Sequence, residues 1–299
     1  MTDFSVLVIG SSGMLGKDIS QVFKENGFTV IGADINNICN NFLDRFYKID
    51  IRNQQDILKL LENEKPHLII YTAAIVNLNV CEENKELAES IHVEVPEFIL
   101  QSINDDVKFV YISTDSVFDG EEGNYVETDL VNPLNYYSYS KYLGEKACLN
   151  YKNSIIVRTN IFGFNNPLKQ SLAEWAIQKL KSGERIVGFD DVIFNAIYTM
   201  DLSRILYDIS QLDLNGIINI AAKGKYSKYE FLISLALGLG FDTNLIDKGS
   251  SQDVTFPIKR PLKTYLNTTL IESMLNIPTI KETINNFCQN LKINDHENW

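Results

Sequence analysis

FSVLVIGSSGMLG, residues 4–16, begins as a largely apolar, β-branched run and closes on Gly10, Gly13 and Gly16. A run apolar throughout suits a strand covered on both faces. Helical spacing follows, from Leu15 to Asn26. Such a strand-to-helix turn needs residues without a β-carbon. Bare backbone N–H groups there can cradle a pyrophosphate, and the helix N-terminus adds partial positive charge. A second apolar run, FTVIGAD (28–34), ends on Asp34. A carboxylate there can accept from both hydroxyls of an adenosine ribose and would repel a 2′-phosphate, which favours NADH over NADPH. A glycine turn that binds nothing is the competing reading. The strand before it, the helix after it and Asp34 speak against that.

Outward from the turn, the rhythm repeats. HLIIYTAA (67–74), VKFVYIST (107–114) and SIIVRTN (154–160) are further strand candidates. Helical patterns lie between them, at Asn53–Asn63, Cys81–His92, Pro96–Ile103 and Tyr137–Asn150. Alternation of this kind predicts an α/β fold, a Rossmann-type doubly wound parallel sheet. We divide the chain into residues 1–160, the dinucleotide-binding part, and 161–299, a smaller C-terminal substrate-binding lobe with later returns to the sheet. In the second part helices are expected from Leu168 to Lys181, Ser227 to Leu239, Thr268 to Leu275 and Ile280 to Leu291. Asp242 to Phe256 reads as a loop, and the tail NDHENW as frayed.

The net charge of −12 argues against a nucleic-acid or anionic-membrane surface as the main partner. No stretch approaches a membrane span, and the N-terminus reads as a strand rather than a signal peptide. Cys39, Cys81, Cys148 and Cys288 are far apart in sequence and form no C-x-x-C, which suits reduced thiols in a cytoplasmic protein. No His, Cys or carboxylate cluster has ligand spacing, so no metal is expected.

The reacting groups are sought where loops at strand ends line the ligand crevice. YYSYSKYLGE (136–145) puts Tyr137 one helical turn before Lys141. A nearby ammonium lowers a phenol's pKa, and Thr114, in STDSVFDG (113–120), offers a hydroxyl for the same substrate oxygen. Together they could polarise a carbonyl while a hydride arrives from a nicotinamide. Tyr136 and Tyr139 supply the alternative, in which Tyr137 is one more packing aromatic. Arg260 suits a diphosphate, and Asn160 could face nicotinamide or substrate. Phe162, Trp175 and Phe194 either flank base or sugar or simply pack.

The glycine spacing G-x-x-G-x-x-G, with the strand-end threonine and Y-x-x-x-K, resembles the extended short-chain dehydrogenase/reductases. That resemblance implies Asp50 and Ile51 beside the adenine, and Ala73 and Ala74, with Met14 and Leu15 of the turn, along the cofactor. Tyr137 and Lys141 would touch the cofactor too, Lys141 through the nicotinamide ribose. An asparagine usually precedes the two alanines; here it is Thr72. A later helix asparagine is replaced by His92, read as a structural substitute.

STDSVFDGEEGNYVETDLVNPLNYYSYSKYLGEKA (113–147), IIVRTNIFG, SKYEF (227–231) and KRPLKTYLN (259–267) are similar to the dTDP-4-dehydrorhamnose reductases. This implies a nucleotide-sugar substrate, with Asn77, Asn79, Asp115, Ser116, Phe118, Asn160 and Arg260 around it. Ser116 stands where those reductases carry Tyr, Ser138 where they carry Gly, Asn79 for an Asp and Asn267 for an Asp, so the hexose stays open. Ser116 also stands where 4,6-dehydratases need a glutamate, which argues against dehydration. A 4-epimerase would use the same three reacting residues. The regulatory β subunit of methionine adenosyltransferase resembles the same reductases and acts by binding a partner. The oligomer is left open, a homodimer among the options, as is the magnesium ion that some relatives use at a dimer contact.

Overall fold

In a computed structural model, residues 4–36, 40–165 and 171–294 are described. β1 (Ser5–Ile9) leads through the glycine turn into α1 (Met14–Glu25), followed by β2 (Thr29–Asp34), β3 (Arg45–Lys48), α2 (Gln54–Glu64) and β4 (Leu68–Tyr71). Two short helices, α3 (Leu78–Glu83) and α4 (Lys85–Glu89), and a π-turn at Ser90–Glu94 lead to α5 (Val95–Ser102) and β5 (Lys108–Ile112). Then come α6 (Tyr136–Leu149), β6 (Ser154–Arg158), β7 (Ile161–Phe162), α7 (Leu172–Lys181), β8 (Ile186–Phe189), β9 (Ile193–Phe194) and β10 (Ile197–Tyr198). The rest is α8 (Thr199–Ser210), β11 (Gly216–Asn219), β12 (Tyr226–Ser227), α9 (Lys228–Leu239), β13 (Ile246–Gly249), α10 (Thr269–Glu272) and α11 (Ile280–Asn294).

The expected doubly wound sheet is present. Its seven strands run in the order β11-β6-β5-β4-β1-β2-β3, all parallel. Both faces are covered. Val6 and Val8 point into one core with α1 and α8, while Leu7 and Ile9 point into the other with α2 and α5. The chain winds one way from β1 to β3 and the other way from β4 onward. The C-terminal ends of β1 and β4 therefore part and leave a crevice, where open α/β sheets take their ligands.

Several expectations are corrected. Cys81–His92 is not one helix. Asn84 ends α3 and its side chain accepts from Leu87 N–H to cap α4, and the π-turn follows. α8, absent from the sequence reading, starts on Tyr198 with no capping side chain, so no start signal marks it. Asp242–Phe256 is not a plain loop, for β13 within it pairs in parallel with β8. Two of its four residues are exposed, and its pairing is wholly non-local, so neither period nor turn chemistry betrays it. Cys81, Cys148 and Cys288 are free and buried. Cys39, the Leu168 helix start and most of the tail lie outside the described residues.

Candidate active site

Three cavities follow one another along the crevice. The first, about 710 Å³, is walled by Gly10, Gly13, Asp34, Asp50, Ile51, Ala73 and Ala74, among others. The second, about 520 Å³, takes Met14, Leu15, Gly16, Thr114, Asp115, Tyr137 and Lys141. The third, about 260 Å³, is walled by Ser116, Asn135, Tyr137, Ser138, Asn160, Lys228 and Arg260 over an apolar floor that includes Phe162 and Phe194. Gly13, Thr72, Ala74 and Asn165 belong to the first two. Ser116, Tyr137 and Asn160 belong to the last two. The result is one trough with Tyr137 at the step between a long cleft and a smaller pocket.

The cleft is shaped by backbone. Gly10 has φ +89°, and a β-carbon there would sit 2.6 Å from Thr72 Oγ1 and 2.8 Å from the Ala73 nitrogen. Thr72, in the asparagine's place, donates to the Ile9 carbonyl at 2.9 Å and so ties β4 to β1 where they part. Asp34 is held by loop amides: Ser12 N–H donates to Oδ2 at 3.1 Å and Asn36 N–H to Oδ1 at 2.9 Å. Asp50 pairs with Arg52, which also faces the cleft.

Helix α6 carries Tyr137 and Lys141, and three devices fix it. The Asn135 side chain caps it by accepting from Ser138 N–H at 3.0 Å. Glu145 accepts from the Ser113 hydroxyl at 2.5 Å and pairs with Arg158 of β6 at 2.7 Å, all three buried. Gly144 passes so close to the π-turn that a β-carbon would lie 2.1 Å from the His92 carbonyl.

His92 is fully buried beside the Tyr137 ring, edge to face at 5.9 Å. Its Nε2 accepts from Ile75 N–H at 3.0 Å, so the ring proton resides on Nδ1, which reaches Ser140 Oγ at 2.8 Å. Ser140 in turn donates to the Tyr137 carbonyl at 3.0 Å. Burial pushes the imidazole down to about 2, and the Lys141 charge adds to this, so the ring is neutral. It braces the β4–α3 loop against α6.

One electrostatic expectation is corrected. Burial pushes the Tyr137 phenol up to about 12, and the Thr114 side chain, not Lys141, pulls the other way. Lys141 donates to the Ile112 carbonyl at 2.7 Å and lies 4.0 Å from the Tyr111 ring centre, and burial lowers it to about 7. The phenol is therefore protonated, the form a proton donor starts from.

Of the expected substrate residues, Ser116, Asn160 and Arg260 wall the third cavity. Asp115 is buried, with its carboxylate occupied by Asn160 Nδ2 at 2.7 Å, the Ser116 and Thr114 hydroxyls at 3.2 Å and the Thr264 side chain. It holds the Asn160 amide in place. Phe118 is corrected: it is fully buried, stacked on Tyr125 at 4.2 Å, in a small core away from all three cavities. Asn77 and Asn79 are not among the residues that wall the three cavities. Both are exposed, Asn77 accepts from Asn79 and Val80 N–H groups as a cap, and Leu78 between them walls the pocket instead. Trp175 only packs against the core. Lys228 and Ser138 were not singled out as site residues, although SKYEF and the Gly-to-Ser departure marked both stretches. Among the described residues no group of His, Cys, Asp or Glu could hold a metal ion, and no helix is long and apolar enough to cross a membrane.

Residues 4–293 match the family described as RmlD substrate binding domain. The chain belongs to that family, among the extended short-chain dehydrogenase/reductases. A dTDP-4-dehydrorhamnose reductase of Aggregatibacter actinomycetemcomitans is 28% identical, over 91% of this chain and 93% of that protein. Methionine adenosyltransferase 2 subunit beta of Danio rerio is 26% identical, over 89% and 84%. The crystal structure of a Bacillus anthracis dTDP-4-dehydrorhamnose reductase in complex with NADP superposes with a TM-score of 0.83 at 23% identity, over 97% of this chain and all of that one. Family membership carries the class expected from the sequence, an NAD(P)-dependent oxidoreductase.

Proposed function

We propose that the protein is an NAD(P)H-dependent reductase of a nucleotide-activated 4-keto-6-deoxyhexose, serving the synthesis of a cell-surface polysaccharide. One observation carries this reading: Tyr137 stands in the wall shared by the glycine-turn cleft, two joined cavities of about 710 and 520 Å³, and a smaller pocket with polar sides. The cleft residues Gly10, Gly13, Gly16 and Asp34 suit the dinucleotide, with NADH favoured by Asp34. A nicotinamide bound there supplies the hydride. Thr114 orients the ketone oxygen. Tyr137 gives its proton to the forming alkoxide. Lys141, held beneath by Ile112, grips the ribose. Ser116 offers no carboxyl for eliminating water.

The experiment is to follow absorbance at 340 nm with NADH or NADPH and dTDP-4-keto-6-deoxyglucose, and to identify the product. Oxidation of the cofactor with a reduced deoxysugar as product is expected. A second reading rests on the methionine adenosyltransferase relative: cofactor binding with no turnover on any nucleotide keto-sugar would replace the reductase by a binding subunit. An epimerase would exchange configuration at the keto-sugar carbon without net oxidation of cofactor.

A further inference from the structure

Lys228 is placed against three costs. It occupies the first turn of α9, where the helix dipole disfavours a cation. It is half-buried, in a wall shared with Phe194 and Phe231. It stands near Arg260, and burial and that neighbouring guanidinium together hold its ammonium below the usual lysine range. Among the described residues only the Asp115 charge works against these costs. The described residues include no ion-pair or hydrogen-bond partner for the Lys228 ammonium. Asp115, the carboxylate that pulls the other way, is committed to Asn160, Ser116, Thr114 and Thr264. A second group in the same pocket is also unsatisfied: the Ser138 hydroxyl is buried without a partner. Buried polar groups and charges are normally paired. Two cations and a bare hydroxyl facing one small cavity call for an anionic occupant with several acceptor oxygens.

We propose that Lys228 and Arg260 jointly receive an oxyanion of the substrate, with the Ser138 hydroxyl as a further donor. The assignment rests on the reductase reading of the same pocket and adds to it the residue that reads charge. A nucleotide sugar can present such an oxyanion in its diphosphate, or in a carboxylate on the sugar ring.

The test is calorimetric titration of the full chain and of Lys228→Met with dTDP, UDP, UDP-glucose and UDP-glucuronic acid. If the diphosphate is the ligand, the variant binds dTDP or UDP about tenfold more weakly or worse, as expected for losing a charged hydrogen bond. If the ring carboxylate is the ligand, wild type prefers UDP-glucuronic acid to UDP-glucose and the variant loses that preference. NADPH affinity is unchanged in both cases. Lys228→Arg stays within a few-fold of wild type. Because no internal bond is removed, Lys228→Met melts no lower than wild type. Equal affinities in variant and wild type for all four ligands overturn the proposal, and so does a variant that melts well below wild type. If wild type reduces a keto-sugar nucleotide while the variant is unaffected, Lys228 alone is wrong. If wild type binds none of the nucleotides, the reductase reading falls with it.

Discussion

Tyr137 and His92 divide the work of one small region between chemistry and support. Tyr137→Phe keeps the ring and removes the proton, so turnover should fall by about a hundred- to ten-thousand-fold with cofactor affinity retained. Near-normal rates of cofactor oxidation would remove Tyr137 as the acid. His92 gives a pH signature. Its unfolded-state value is near 6.5, and in the fold it is pushed down to about 2. Below 6.5 the unfolded chain therefore takes up a proton that the native chain refuses until about pH 2, and acid costs stability across that window. His92→Asn lacks that contribution. Its urea midpoint relative to wild type should improve from pH 7 to pH 5; a constant gap would mean that His92 is not held neutral. Asp34→Ala should weaken NADH binding more than NADPH, because a ribose partner is lost for one and a repulsion relieved for the other. Equal losses in fluorescence titrations would sink the ribose role.

At the level of elements, α6 is the part whose placement decides everything else. Removing one member of its buried pair leaves the other charge stranded. Glu145→Ala should cost about 3–5 kcal/mol in urea unfolding, and a cost below about 1 kcal/mol would show that the Arg158 pair does not anchor the helix. These elements also mark the limits of the sequence reading. The glycine turn, Asp34 and the Tyr137–Lys141 pair were legible because each depends on neighbours within one turn or one strand end. Phe118 was misjudged because its segment borders the site while its ring turns into a separate core. α8 and β13 were missed because one lacks a cap and the other exists only through its partner, β8. Lys228 and Arg260 lie far apart in sequence, and only the fold brings them to one cavity.

For the whole molecule, the trough spans the point where the sheet changes winding direction, so a dinucleotide bound there would clasp both halves. NADPH at a hundred times its dissociation constant should add about 2.7 kcal/mol to the unfolding free energy. An unchanged melting temperature at that concentration would mean that NADPH does not bind the native fold. The last strand of the sheet, β11, has a further consequence for synthesis. It is made some sixty residues after β6, the strand it covers. Until it leaves the ribosome, β6 presents a row of unpaired amides and carbonyls, a template for another nascent chain. A truncated product ending at residue 160 should therefore precipitate or self-associate on gel filtration, whereas one continued past β11 should be better behaved.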